Sequence, residues 1–403
     1  MRKDNLIKIT ELRHALHRIA ELSMKEKKTA QLLKEFLRRN THFQVVDRGE
    51  WFYAVRKGTN CGEQASAERP GGEQAGEERP GRSRPGDELP GGDLPGGRRI
   101  AFRADMDALP IAEDETLSYH SVNAGVSHKC GHDGHCAALC GLALELDGRE
   151  TDADVYLIFQ PGEETGSGAV LCRELIRQEN ISRIYAFHNL SGYPEGSVVY
   201  RPGLTQPASE GVRLYFAGKA SHASAPEDGR NPSELIARVI LRAAELSEDQ
   251  SAGMMLCTVT GVRMGAGDFG ISPGDGELSM TLRAEEESRM KCLEEQILAF
   301  AAKEGQQCGI GVSASVHDYF PETRNDDACL TAVVEAAEEQ GLTVIRMEQM
   351  WRASEDFGWY LKECPGAIFY IGSGEEHPPL HTAEYDFNDR ILETAADLFA
   401  ALV

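Results

Sequence analysis

The sequence predicts an α/β protein: a mostly parallel mixed sheet with helices on both faces, carrying an inserted ferredoxin-like α+β unit. Three observations predict it. Between residues 99 and 188 an apolar strand, a polar stretch and a helix recur in that order, which brings strand ends to one edge of a parallel sheet. From about residue 206 the order becomes βαββαβ, the ferredoxin-like arrangement. After residue 318 helix and apolar strand return, so 206–318 interrupt a larger domain made of 1–205 and 319–403.

Taken in order, Leu12, Leu16, Ile19 and Leu22 share one face of a helix over residues 10–22, with Thr10 as its N-cap. His14 and His17 fall on an exposed face of that helix and are expected to be solvated. A second helix covers about 25–39, and residues 43–48 and 51–56 form a hairpin across Gly49-Glu50. Residues 58–97 are dominated by Gly, Pro, Glu and Arg, with Pro-Gly at 70, 80, 85, 90 and 95. Such a stretch lacks the apolar surface to offset its ordering entropy and reads as a disordered insertion between two strands. Strands follow at 99–104, 154–160 and 183–187, with helices at about 134–147 and 167–179 between them. The inserted unit has strands at 211–218, 254–263, 276–283 and 309–317 and helices at 231–246 and 285–303. A helix at 327–340, strands at 342–346 and 367–371, and a last helix at 389–403 complete the larger domain.

Composition narrows the class. The 403 residues are 41% hydrophobic and 27% charged, and no apolar run approaches the roughly 18 residues that span a bilayer. The first ten residues are too charged for a signal peptide, so a cytoplasmic location is expected. The ten cysteines are scattered and several sit in apolar settings, which argues against a disulfide framework. A net charge of -23 argues against nucleic acid or an anionic membrane as partner.

Chemistry concentrates in Cys130-Gly-His-Asp-Gly-His135, where a thiol, two imidazoles and a carboxylate crowd into six residues at a helix start. A helix N-terminus would lower the Cys130 pKa towards the thiolate that metals require. Cys130 and His132 reach one ion if the backbone before the helix is extended. Alone, these six residues read equally well as a His-rich helix cap. Glu163-Glu164 and His188 are also weak singly, but all three lie at strand ends expected to meet at one sheet edge, together with Asp105 and Asp107.

The motifs Arg103-Ala-Asp-Met-Asp-Ala-Leu-Pro-Ile111, Cys130-Gly-His-Asp-Gly-His135, Phe159-Gln-Pro-Gly-Glu-Glu164, Phe187-His-Asn189, Gly218-Lys-Ala-Ser-His-Ala223 and Leu380-His-Thr382 occur in that order. Through them the chain resembles the dinuclear metal amidohydrolases of the aminoacylase and carboxypeptidase type, in particular the branch of hippurate hydrolase and the auxin-conjugate (indole-acetyl-amino acid) hydrolases. The resemblance implies two divalent metal ions, zinc or manganese with cobalt or nickel admissible, held by Cys130, His132, Glu164, His188 and His381, the Cys130 thiolate standing between them. It implies Glu163 as general base and Asp107 as the residue that orients a ligand from behind. It further implies that the inserted unit is a lid through which subunits form a homodimer, that His222 reaches across that dimer to stabilise the oxyanion, and that Arg283 lies near the substrate.

The chain departs from that pattern at Ala220-Ser221-His222, where a second Gly is usual. It departs again at Asp268-Phe269-Gly270-Ile271-Ser272-Pro273, where many relatives carry Asn. A carboxylate at Asp268 would repel a substrate α-carboxylate. The expected activity is hydrolysis of the amide of an N-acylated amino acid or similar small N-acyl amine. The alternatives are a dipeptidase or carboxypeptidase-like exopeptidase of the same family, or an inactive metal-binding relative, which would be free to lose Glu163.

Overall fold

The computed structural model describes residues 1–59, 98–114, 116–251 and 253–403. The insertion expected at 58–97 therefore lies, apart from its first two residues, outside the described residues.

The chain starts with α1 (Lys3–Arg18) and α2 (Lys27–Asn40), followed by β1 (Gln44–Asp47), β2 (Phe52–Arg56), β3 (Arg98–Asp105), α3 (His132–Leu146), β4 (Ala153–Gln160), the short helices α4 (Ala169–Cys172) and α5 (Glu174–Gln178), β5 (Arg183–Ser191) and β6 (Val198–Tyr200). Helix α1 begins about two turns before Thr10, because buried Asn5 and Ile9 extend its inner face and Asp4 favours the first turn. Leu22 lies beyond its end, bridged to Ala108. The helix expected at 167–179 is broken in two at Arg173.

The middle of the chain forms β7 (Leu204–Gln206), β8 (Ala208–Ala217), β9 (Ser221–His222), α6 (Ser233–Ser247), β10 (Met255–Met264), β11 (Ile271–Ser272), β12 (Asp275–Ala284), α7 (Glu287–Cys308) and β13 (Gly311–Phe320). Helix α7 outruns its expected end by a turn and stops where Gly309 takes the left-handed conformation, φ +67°. The remainder is β14 (Thr323–Arg324), α8 (Asp327–Glu339), β15 (Val344–Arg346), α9 (Gly358–Leu361), β16 (Gly366–Gly374) and α10 (Leu392–Ala401).

The larger sheet has the order β1-β2-β4-β3-β5-β16-β6-β15, with β4, β3, β5 and β16 parallel at its centre. Every residue of β4 is buried, as expected for a strand covered on both faces. One face packs α1, α2, α3, α8 and α10, and the other packs α4, α5 and α9. Helix α3 is buried along its whole length. A Cβ at Gly134 would stand 2.3 Å from Phe387, and one at Gly141 2.9 Å from Ala396, so glycine lets neighbouring groups approach this closely. Strands β2 and β3 flank β4 rather than each other, so the insertion leaves one side of β4 and returns on the other.

The smaller sheet is antiparallel with order β10-β12-β8-β13 and a core of its own with α6 and α7. With β8 first and β13 last in the chain, that order is ferredoxin-like. No helix among the described residues is long and apolar enough to cross a membrane.

Candidate metal centre

The C-terminal ends of β3, β4 and β5 lie side by side, with Asp105 opposite Gln160. Just past β3, Asp107 accepts hydrogen bonds from the backbone N–H groups of Glu163 (3.1 Å) and Glu164 (3.0 Å) and from the Ser23 hydroxyl (2.7 Å). It also takes the Nδ1–H of His132, at 2.9 Å to its carbonyl and 3.2 Å to its carboxylate. The loop after β4 is thereby tied to the first residue of α3. Between Cys130 and His132 the backbone is not extended: Gly131 adopts φ +96°, and a Cβ there would meet Asn189 Oδ1 at 2.4 Å and Tyr385 Oη at 2.7 Å. A sharp left-handed turn, open to glycine, aims both side chains at one point.

All five expected ligands gather there. Cys130 Sγ lies 3.5 Å from His188 Nε2 and 3.3 Å from His381 Nε2, and Glu164 Oε1 lies 3.4 Å from His381 Nε2 and 3.8 Å from His132 Nε2. The donor atoms form two overlapping groups, Cys130, His132 and His188, and Cys130, Glu164 and His381, each within 4.8 Å. His132 Nε2 and Glu164 Oε1 are buried with no hydrogen-bond partner. Since Asp107 takes the other ring proton of His132, Nε2 presents a lone pair to the cluster, as a metal ligand does. Sulfur, imidazole and carboxylate donors at this spacing fit divalent metal.

The electrostatics point the same way. Burial, together with Glu164, Glu163 and Asp105, pushes the Cys130 thiol well above its usual range, opposite to the expected effect of the helix terminus. Three nearby carboxylates and burial outweigh one helix end, so the thiolate needs a cation beside it. Burial and then Glu355 and Glu164 raise the Glu163 carboxyl, against the pull of Arg103. His132 is raised to about 10, because Asp105 and Asp107 prevail over burial: with no cation in the cluster the ring would hold a proton on Nε2, and a bound metal ion would take that proton's place.

A cavity of about 600 Å³ opens in front, between the cluster and the smaller sheet. Glu163 and Trp351 line it, and Ser209, Thr281 and Arg283 face them from β8 and β12. Arg283 donates through one guanidinium nitrogen to the Arg352 carbonyl and the Ser354 hydroxyl, both at 2.9 Å. His222 and Asp268 do not line this cavity. His222 is exposed, with Nδ1 2.7 Å from Ser224 Oγ, and Asp268 caps its own turn by accepting from Gly270 N–H at 2.7 Å. The two belong to one tip, paired through Ile271 and His222.

Residues 101–403 match the family described as Peptidase family M20/M25/M40. The chain belongs to that family. Among its relatives, N-acetylcysteine deacetylase of Bacillus subtilis is 30% identical over 76% of this chain and 81% of its own length. Hippurate hydrolase of Campylobacter jejuni is 29% identical over 76% and 81%. A solved dinuclear metal-binding M20 peptidase of Bacillus subtilis shares the fold at TM-score 0.76 and 24% identity, covering all of this chain and 98% of its own. As an M20 member the chain is a metal-dependent amidohydrolase.

Other buried groups around this M20 centre have no role assigned from the sequence, some of them inside the motifs themselves. His135 bridges Asp105 (2.6 Å) and Asn189 (2.7 Å). Arg103, fully buried, binds Asp105, Gln160, Glu355 and Asp356. An arginine within the apolar stretch Ile100-Ala-Phe-Arg-Ala104 was a visible signal of a buried ion network, whereas nothing in the sequence marks Glu355 and Asp356. His17, expected in solvent, is buried between Asp133 and Glu113, each at 2.8 Å. It lies on the same face as Leu16 and Arg13, which α3 and the loops beside it cover.

Proposed function

We propose that the chain hydrolyses the amide bond of a small N-acylated amino acid or amine, with two divalent ions held by Cys130, His132, Glu164, His188 and His381. Bound there, the ions supply Lewis-acid polarisation and counter-charge. Glu163 is the general base: buried beside the ligands, with Oε2 4.0 Å from His132 Nε2, and facing the cavity, it takes a proton from the attacking water and delivers it to the departing nitrogen. Asp107 holds His132 and the Glu163-Glu164 turn in register. Arg283, with one nitrogen anchored, presents the rest of its guanidinium to the substrate across the cavity. His222 acts in the cavity of a second subunit of a homodimer formed through the smaller unit, which serves as a lid, and Asp268 travels with it. The observation that carries this reading is the position of Glu163 between the ligand cluster and the cavity. The test is metal analysis of the purified protein coupled to a screen of N-acetyl, N-benzoyl and dipeptide amides. Two ions and turnover of the acyl amino acids support it; absence of bound metal after reconstitution, or cleavage of dipeptides alone, overturns it.

A further inference from the structure

His381 is the least supported of the candidate ligands. Cys130, His132 and His188 are buried, and Glu164 sits in a turn fixed by Asp107, whereas the His381 side chain is 51% exposed on a loop. Its backbone is left-handed, φ +63°, a conformation that is strained for a non-glycine residue and persists only when neighbours enforce it.

The enforcing neighbour is Lys129. Its carbonyl accepts the backbone N–H of His381 at 2.8 Å, and its ammonium donates to the Tyr385 carbonyl at 2.7 Å, four residues further along the same loop. The lysine is 1% exposed, unusual for a charged chain. Its charge is met by Glu113 Oε2 at 3.1 Å, and Glu113 is held in turn by His17, His17 by Asp133, and Asp133 by Arg13. Arg13 binds Asp386 and Asp389, on the segment that follows Tyr385. This alternating ladder of charges runs beneath the ligand motif and ends on the loop that carries His381. Lys129 is adjacent to Cys130 in sequence, so a single residue fixes the spacing between the thiol and the histidine 3.3 Å away.

We propose that Lys129 is a positioning residue that grips the His381 loop at two points and sets where His381 stands beside Cys130. The inference rests on the metal-ligand reading above. Lys129→Met keeps the stem and the main-chain carbonyl and removes only the ammonium. Because it leaves Glu113 without its lysine, Lys129→Met/Glu113→Gln is made alongside, so that a fold lost through a stranded carboxylate is not mistaken for the effect.

The experiment titrates metal-free protein with cobalt(II) and follows stoichiometry, the thiolate-to-metal charge-transfer band of Cys130 and the ligand-field bands. The expected result is one ion bound as in wild type and the second bound 10–100-fold more weakly, with the charge-transfer band kept and the ligand-field bands altered as in His381→Ala. Lys129→Arg, which restores a donor, should recover part of the second ion. Wild-type affinity for both ions in the folded double variant overturns the proposal, as does equal weakening of both ions, which would mark Lys129 as merely structural. If wild-type protein itself binds no second ion, the dinuclear reading fails first, a result distinct from either.

Discussion

Asp107 faces two ways at once: it takes the ring proton of His132 on one side and the backbone N–H groups of Glu163 and Glu164 on the other. One carboxylate thus registers a ligand on α3 against the base and ligand that follow β4. Asp107→Asn turns one of its two acceptor oxygens into a donor, which must face an N–H that needs an acceptor. Metal affinity should fall 10–100-fold, the range for groups that orient ligands. Competition with a graded chelator measures it; unchanged affinity would mean that His132 is oriented by the Asp107 carbonyl alone.

Glu163→Gln should keep both ions while removing proton transfer, lowering kcat by about 10²–10⁴-fold. Rate and metal content are measured on the same preparation. Near-normal turnover with full metal would move the general base elsewhere, with Glu355 the first alternative because it joins Glu163 and Asp356 in one buried group.

Much of this centre was legible because metal chemistry restricts residue types. Cys130, His132, Glu164 and His188 lie at strand or helix ends that sequence order brings to one edge, whereas His381, on a loop, was named only through the motif resemblance, and the structure gathers all five. What stayed hidden depends on long-range pairing. The hairpin at β1 and β2 was readable from its turn, but that β4 would lie between β2 and β3 was not, because strand adjacency is set by packing of distant segments. His17 looked solvated because helical periodicity ranks apolar side chains and cannot know that Asp133 and Glu113 will arrive to pair with it. The Cys130 pKa went the wrong way for the same reason: the helix terminus is local, and the carboxylates that oppose it are not.

His17 gives stability a pH dependence. Burial opposes its charge, yet hydrogen bonds to Asp133 and Glu113 raise its pKa from 6.5 to about 9. A raised folded pKa contributes stability that is whole below pH 6.5 and is lost as pH climbs towards 9. The shift corresponds to about 3 kcal/mol at most. Urea midpoints between pH 6 and 9.5 should decline in wild type and run flatter in His17→Gln, which starts lower. Parallel curves would show that His17 is neutral in the folded state.

Removing residues 60–96 should leave folding and activity largely intact, provided that the new linker crosses β4. Arg56 pairs with Val155 and Arg98 with Ala153, so both cut ends sit at the same end of the sheet on opposite sides of one strand, about 10 Å apart at normal strand spacing. Four or five Gly/Ser residues span that, and a shorter loop costs less closure entropy. A direct join of Gly58 to Gly97 is tighter and should lower the unfolding temperature relative to the linked version. Insoluble protein from both would show that the segment contributes to the fold.

The arrangement of His222 makes the proposed dimer testable without solving it. Its ring is absent from the cavity of its own subunit, and it sits on the exposed tip that also carries Asp268 and the fully exposed Phe269. If His222 completes the site of a second subunit, Glu163→Gln and His222→Ala homodimers are each impaired, for different reasons. In a mixed dimer one site combines both lesions, while the other pairs an intact Glu163 with the intact His222 contributed by the Glu163→Gln subunit. Random exchange makes half the dimers mixed, each with one sound site, so the mixture should recover about a quarter of wild-type activity. If His222 instead served its own subunit, every site in the mixture would carry one lesion and nothing would be regained. Activity of the unfolded and refolded mixture, against each variant treated alone, separates the two arrangements. Adding Asp268→Asn to the His222-intact subunit then asks whether the carboxylate on the same tip enters the restored site. A shift in preference between an N-acyl amino acid and its amide would show that it does, and an unchanged preference would leave Asp268 as the cap of its turn.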